Sequence, residues 1–284
     1  MNSYINVPLA PAAKNARRSA SIKLYGPDAF EGMRRAGSLT AACLDGVADL
    51  IRANVPLAEI NTYVLDFAAA HNATPATLGY QGYKYACCTS VNHVVCHGFP
   101  NEKKLREGDI VNVDVTLICD GWYGDSSRMY VVGKPKRAAE RLIKIAHEAM
   151  MQGIRAVRPG AHLGDIGHAI QSFAQSERCS VVRDFCGHGI GQVFHDSPNI
   201  LNFGKAGDGA ELREGMIFTV EPMINLGTGE VKMLADDWTA VTRDKSLSAQ
   251  FEHSIGVTAD GCEIFTQSAK GLHAPGVEIS GDAF

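Results

Sequence analysis

Polar and apolar residues alternate most strictly between Ile110 and Ile118. Val111, Val113, Val115 and Leu117 fall on one side, and Asn112, Asp114 and Thr116 on the other. That period of two predicts a half-buried strand. Asp120-Gly121 follows directly, a dipeptide favoured in two-residue hairpin turns because both positions require positive φ. Trp122 to Tyr130 then supplies the return strand. With Asp120-Gly121 as the turn, Cys119 faces Trp122, Thr116 faces Asp125 and Asp114 faces Ser127. Asp114 and Asp125 become diagonal neighbours on one face, about 7–8 Å apart at most. Two anions so placed repel one another unless a proton or a cation lies between them; a solvated polar face is the plainer alternative.

Elsewhere the period is helical. Met33, Ala36, Leu39, Thr40, Cys43, Leu44 and Val47 predict a helix from Pro27 to about Ala53, and Ile60, Val64, Phe67 and Ala68 a second over 57–72. Leu142, Ile145, Ala149 and Ile154 mark a third over 135–157, and a fourth spans 163–178. Strands are expected at 86–90, 94–97, 181–186, 216–221 and 250–258. The order is two helices, strands, the hairpin, two helices and strands again. It suggests two α/β halves that form a pseudo-symmetric sheet backed by helices, with a site where they meet.

Residues 1–20 contain Pro8, Pro11, Lys14, Arg17 and Arg18 and no acid. They predict a flexible arm, in which PLAP formally fits a polyproline ligand and the lack of acids also fits an organelle address. Residues 269–284 are read as a tail, leaving 21–268 as one domain. A net charge of −4 over 284 residues gives no bulk attraction to nucleic acid or membrane, so neither is expected as a partner. The eight cysteines include no CxxC pair, which argues against a zinc finger or a disulfide framework and for reduced thiols in the cytoplasm. No apolar run is long enough to span a bilayer.

Three further segments can reach the hairpin's carboxylates. DFCGHGIGQVFHDSP sets His188 and His195 among glycines, IFTVEPMI ends a strand at Glu221, and QFEHSIGVT turns Glu252 away from Phe251 and His253. GHGIG lacks the strand, helix and downstream acid of a dinucleotide loop. Between residues 74 and 100, Tyr80, Tyr83, Tyr85, Cys88 and Cys96 offer pocket-like surface, and His97 precedes Gly98.

Asp114, Asp125, His188, Glu221 and Glu252, together with IVNVDVT, DGWYGDSS, VRDFCGHGIG, FTVEPMINLG, DDWTAVTRD and SLSAQFEHSI, resemble type I methionine aminopeptidase, of the pita-bread metalloprotease family. The resemblance runs from about Ile22 to Phe265. It implies an α+β fold, a pseudo-two-fold antiparallel sheet backed by helices, with 21–268 as the catalytic domain. It also implies metal-dependent removal of the initiator methionine from nascent proteins with a small second residue. Asp125 and Glu252 would bridge two divalent metals, Asp114 would chelate one, and His188 with Glu221 would complete the other. Glu221 would handle the proton of the attacking water, and His97 and His195 would contact substrate. Tyr85, Cys88, Cys96, Phe194 and Trp238 would line the methionine pocket. The mixed oxygen and nitrogen donors suit Co, Mn, Fe or Zn and argue against calcium. The expected partners are nascent N-termini, beside the ribosome, and the expected state is a monomer.

The chain departs from the pattern at His93, where many relatives carry an acid, and at Asp196-Ser197, where acidic pairs are common. Both make the rim of the substrate groove less negative. The zinc-finger cysteines of eukaryotic relatives and the long insert of type II enzymes between His188 and Glu221 are absent. Two rivals remain open: a prolidase or aminopeptidase P, which would carry an added N-terminal domain, and a non-catalytic pita-bread interaction protein, which would have lost metal ligands.

Overall fold

The computed structural model describes residues 3–8 and 19–275. Ile110–Cys119 and Trp122–Val131 form an antiparallel hairpin in the register expected from the turn, pairing Asp114 with Ser127, Thr116 with Asp125 and Cys119 with Trp122. Asp120 and Gly121 have φ of 49° and 78°, the left-handed values that fit the twist of two tightly linked strands.

The hairpin lies inside a nine-stranded sheet whose pairs are all antiparallel. Cys88–Val91 and Thr74–Pro75 flank its first strand. Its second strand pairs with Glu252–Val257, beyond which come Ile217–Val220, Gly187–Gly189 and Asp196–Ile200. Sequence-distant halves therefore share one sheet, and the acid-bearing hairpin sits at their junction.

Helices α1 (Pro27–Val47), α2 (Leu57–Ala70), α3 (Arg137–Arg155) and α4 (Leu163–Ser176) cover this sheet. Cys43, Leu44, Ile60 and Val64 of α1 and α2 bury the apolar face of the hairpin, Val111, Val113, Val115 and Leu117. Leu142, Ile145, Ile166 and Ile170 of α3 and α4 do the same for Phe218, Val220 and Ile255. With the apolar faces consumed in this way, the polar face of the hairpin is left to line a cavity.

Contact between α1 and the hairpin is backbone to backbone. A Cβ at Gly124 would stand 2.3 Å from the carbonyl oxygen of Ala36. The Thr40 hydroxyl donates to the Gly124 carbonyl at 2.8 Å, and the Tyr130 hydroxyl donates to the Leu44 carbonyl at 2.6 Å. Below them Arg128 Nη1 meets Asp45 Oδ1 at 2.7 Å in a buried ion pair, and Ser268 donates to Asp45 Oδ2 at 2.9 Å.

Three features differ from the sequence expectations. Ser3–Pro8 pairs with Ser19–Leu24 as an antiparallel ribbon, where the lack of periodicity suggested a flexible arm; Ser3–Pro8 does not alternate apolar and polar residues strictly enough to stand out without its partner. The rest of that arm, and the tail from 276, lie outside the described residues. α1 ends at Val47 and continues only as a 3₁₀ turn, Ala48–Leu50. The strand expected over 181–186 is confined to Ser180–Val181, because Arg183 and Asp184 are exposed.

Replacing Gly124 by Ala forces α1 off the strand that carries Asp125. Overpacking of this kind typically costs about 1–3 kcal/mol, so urea unfolding of Gly124→Ala should show a loss in that range; an unchanged midpoint would contradict the close backbone contact.

Candidate active site

Because paired residues share a face, the sheet register places four side chains in one row. Cys88 pairs with Asp114, Asp114 with Ser127, and Ser127 with Glu252. Asp125 stands two residues along the same face, where the Thr116 hydroxyl donates to its Oδ1 at 2.7 Å. The Ser127 hydroxyl, between Asp114 and Glu252, is buried without a hydrogen-bond partner.

The second half supplies the remaining groups. Gly187 and Gly189 flank His188, and a Cβ on either would meet a backbone carbonyl, that of Thr219 at 2.4 Å or of Ser197 at 2.1 Å. Only glycine lets this short strand lie between its neighbours and fix the imidazole. The His188 amide donates to Thr219 Oγ1 at 3.0 Å, and the same hydroxyl donates to Glu221 Oε1 at 2.8 Å. One threonine thus holds both groups. His188 Nε2 lies 3.6 Å from Asp125 Oδ2 and 3.7 Å from Glu221 Oε1. Asp125, His188 and Glu252 each offer a donor atom within 4.8 Å of the others.

These groups open into a cavity of about 400 Å³. Its lining includes five carboxylates, of Asp114, Asp125, Asp184, Glu221 and Glu252, and no lysine or arginine. Burial, reinforced by the facing Asp125, pushes Asp114 and Glu252 well above the usual carboxylate range. Burial and Asp125 likewise bring Glu221 up to about 7, against the lowering influence of His188. Burial alone would lower His188, but Asp125 and Glu221 outweigh it and raise the imidazole. A divalent cation fits this donor set: it would relieve the repulsion that otherwise forces protons onto the cluster.

His97 and His195 line the same cavity. Burial lowers both, and His195, further lowered by His188, reaches about 4. Both rings are therefore neutral near pH 7. His97 sits at φ 57°, a strained backbone state that concentrates at functional sites. The rings of His195 and His188 lie 4.1 Å apart, and Phe194 packs on His195 at 4.1 Å.

Of the residues expected in the methionine pocket, Cys88, Cys96, Phe194 and Trp238 line the cavity, and Tyr85 does not. Tyr83 takes the wall instead, its ring 5.0 Å from Trp238, with Tyr85 behind it at 5.8 Å and against Phe99 at 5.1 Å. The backbone explains the exchange: the Thr77 hydroxyl holds the Tyr85 carbonyl, and the Asn61 side chain holds the Ala86 amide, which fixes Tyr85 outside. Sequence reasoning missed Thr77, Asp184, Phe185, Met223 and Gln250 as lining residues. Gln250 and Glu252 lie in the strand expected over 250–258, which the structure divides at Phe251 into Ser248–Gln250 and Glu252–Val257 of different sheets.

Residues 31–259 match metallopeptidase family M24. The methionine aminopeptidase of Rickettsia prowazekii is 57% identical over 256 residues, covering 90% of this chain and 99% of that one. The crystal structure of methionine aminopeptidase from the same organism superimposes with a TM-score of 0.86 over 86% of this chain and 99% of that one. Prolidase from Pyrococcus furiosus, 19% identical, reaches a TM-score of 0.68 over 86% of this chain and 65% of its own, a likeness of the α+β pita-bread fold alone. The chain belongs to metallopeptidase family M24 and, within it, to the methionine aminopeptidases.

Proposed function

We propose that this cavity removes the N-terminal methionine from polypeptides whose second residue is small, with two divalent cations held by the five ligands gathered across the sheet. The observation that carries the reading is the buried row of carboxylates whose lining holds no lysine or arginine. Asp114, Asp125, His188, Glu221 and Glu252 would hold the cations, with Asp125 and Glu252 as the carboxylates common to both sets. Mn, Fe, Co and Zn all accept such mixed oxygen and nitrogen donors. When bound, the cations polarise the scissile carbonyl and make water acidic near neutral pH.

The chain's own groups do the rest. Glu221 takes a proton from the attacking water and returns it to the leaving amine. Thr219 keeps that carboxylate oriented through its 2.8 Å hydrogen bond. His97 and His195, neutral and half-enclosed by aromatic rings, direct ring N–H groups at the substrate carbonyl as charge develops on it. Tyr83, Cys88, Cys96 and Trp238 surround the thioether with aromatic and sulfur surface and offer it no charge.

The substrates are nascent N-termini met beside the ribosome, and the working form is a monomer whose catalytic unit spans 21–268. A cytoplasmic location fits the eight unpaired cysteines. Among the described residues no helix is long and apolar enough to cross a membrane.

The direct test is release of free methionine from Met-Ala-Ser by protein stripped with a chelator and reloaded with Mn²⁺. Activity should vanish on stripping and return on reloading, and Glu252→Ala should lose more of it than Asp114→Ala because both cations share Glu252. Metal-independent cleavage, or no cleavage with any of the four metals, would refute the assignment.

Stability should carry the same signature. A carboxyl raised in the folded state binds a proton that the unfolded chain has released, so its contribution is present at low pH and is lost as pH rises through the folded value. For Glu221 that window runs from the ordinary glutamate range up to about 7. The gain in Tm on adding saturating Mn²⁺ should therefore be larger at pH 7.5 than at pH 5 by differential scanning fluorimetry. An equal or smaller gain would contradict it.

A further inference from the structure

The cavity takes the first residue of its substrate, so the rest of the substrate has to leave across the rim. Large exposed apolar side chains gather on the segments that form this rim. Of seven such residues among those described, four are Leu78, Val193, Met233 and Leu234, which are 49%, 51%, 43% and 40% exposed. Leu78 lies between the lining residues Thr77 and Tyr80, and Val193 directly precedes the lining residues Phe194 and His195. The two loops touch: the Tyr80 ring stands 4.9 Å from Phe194 and 5.0 Å from His195. Met233 pairs with Ala240, and the Leu234 amide donates to the Thr239 carbonyl at 2.9 Å, which places this second apolar pair beside Trp238, another lining residue.

Exposed leucine, valine and methionine are unremarkable when scattered. Here Leu78 and Val193 stand on two touching loops that carry lining residues, and Met233 is one strand away from the lining residue Cys96 through Ala240; apolar surface gathered beside a site marks binding.

We propose that Leu78 and Val193, with Met233 and Leu234 on the neighbouring segment, form an apolar shelf that receives the third and fourth residues of the substrate and favours chains that are apolar there. The inference rests on the peptidase reading given above and extends it from the first two residues of the substrate to the next two. Partial burial of two aliphatic side chains against this shelf accounts for about a tenfold preference in kcat/KM.

The test compares kcat/KM for Met-Ala-Leu-Leu-Gly-Ser and Met-Ala-Ser-Ser-Gly-Ser on the Mn²⁺-loaded enzyme and on its L78S/V193S variant, with Met-Ala-Ser as a common reference. The wild type should favour the Leu-Leu peptide about tenfold. The variant should cleave Met-Ala-Ser as the wild type does and lose most of that preference, because both replaced side chains are exposed and outside the catalytic set. Equal rates on the two hexapeptides, or a preference that survives in the variant, would overturn the shelf while leaving the peptidase reading intact. Failure to cleave Met-Ala-Ser at all would overturn both.

Discussion

Mutual repulsion among buried carboxylates is the constraint on which the rest of this structure depends. Asp114, Asp125, Glu221 and Glu252 face one cavity, with the His188 imidazole beside Asp125 and Glu221 and no lysine or arginine in the lining. Left to themselves, such groups would separate or protonate; burial first, and the neighbouring Asp125 second, raise Asp114, Glu221 and Glu252. The fold has to supply what the side chains oppose. It does so with a sheet whose register leaves Asp114 and Glu252 no other place to point, and with two helical layers that bury the opposite face.

Rigidity at the site comes from small residues and single hydroxyls. Gly124 brings α1 into backbone contact with the strand of Asp125, and Gly187 and Gly189 let the strand of His188 lie between two others. Thr116 and Thr219 then orient Asp125 and Glu221 through bonds of 2.7 and 2.8 Å. Positioning of this kind matters because ligand atoms displaced by even half an ångström no longer converge on one ion.

Much of this was legible in the sequence where local rules act. Strict alternation over 110–118 and the Asp-Gly turn determine the hairpin and its register, because period and turn type leave one solution. The four helices follow from apolar spacing, with ends shifted by a few residues where a turn tightens. The short strands of the second half were not legible as strands: Gly187–Gly189 and Met223–Asn225 span three residues each and acquire their conformation from neighbours distant in sequence. The ligand set came from resemblance to a family, since no local pattern tells that Glu221 and Asp114 meet. Tyr85 and Tyr83 were exchanged in the pocket for a related reason. In an irregular segment, hydrogen bonds from Thr77 and Asn61 decide which ring faces inward, and periodicity has nothing to say there.

The central claim is that the carboxylate row is a two-cation centre. Anomalous diffraction from crystals grown with Mn²⁺, recorded near the manganese edge, tests it most directly. The expected result is two peaks in the cavity, each bonded to both Asp125 and Glu252, with Asp114 on one and His188 and Glu221 on the other. An empty cavity in crystals of active protein, or a cation bound away from Asp125 and Glu252, would contradict the account.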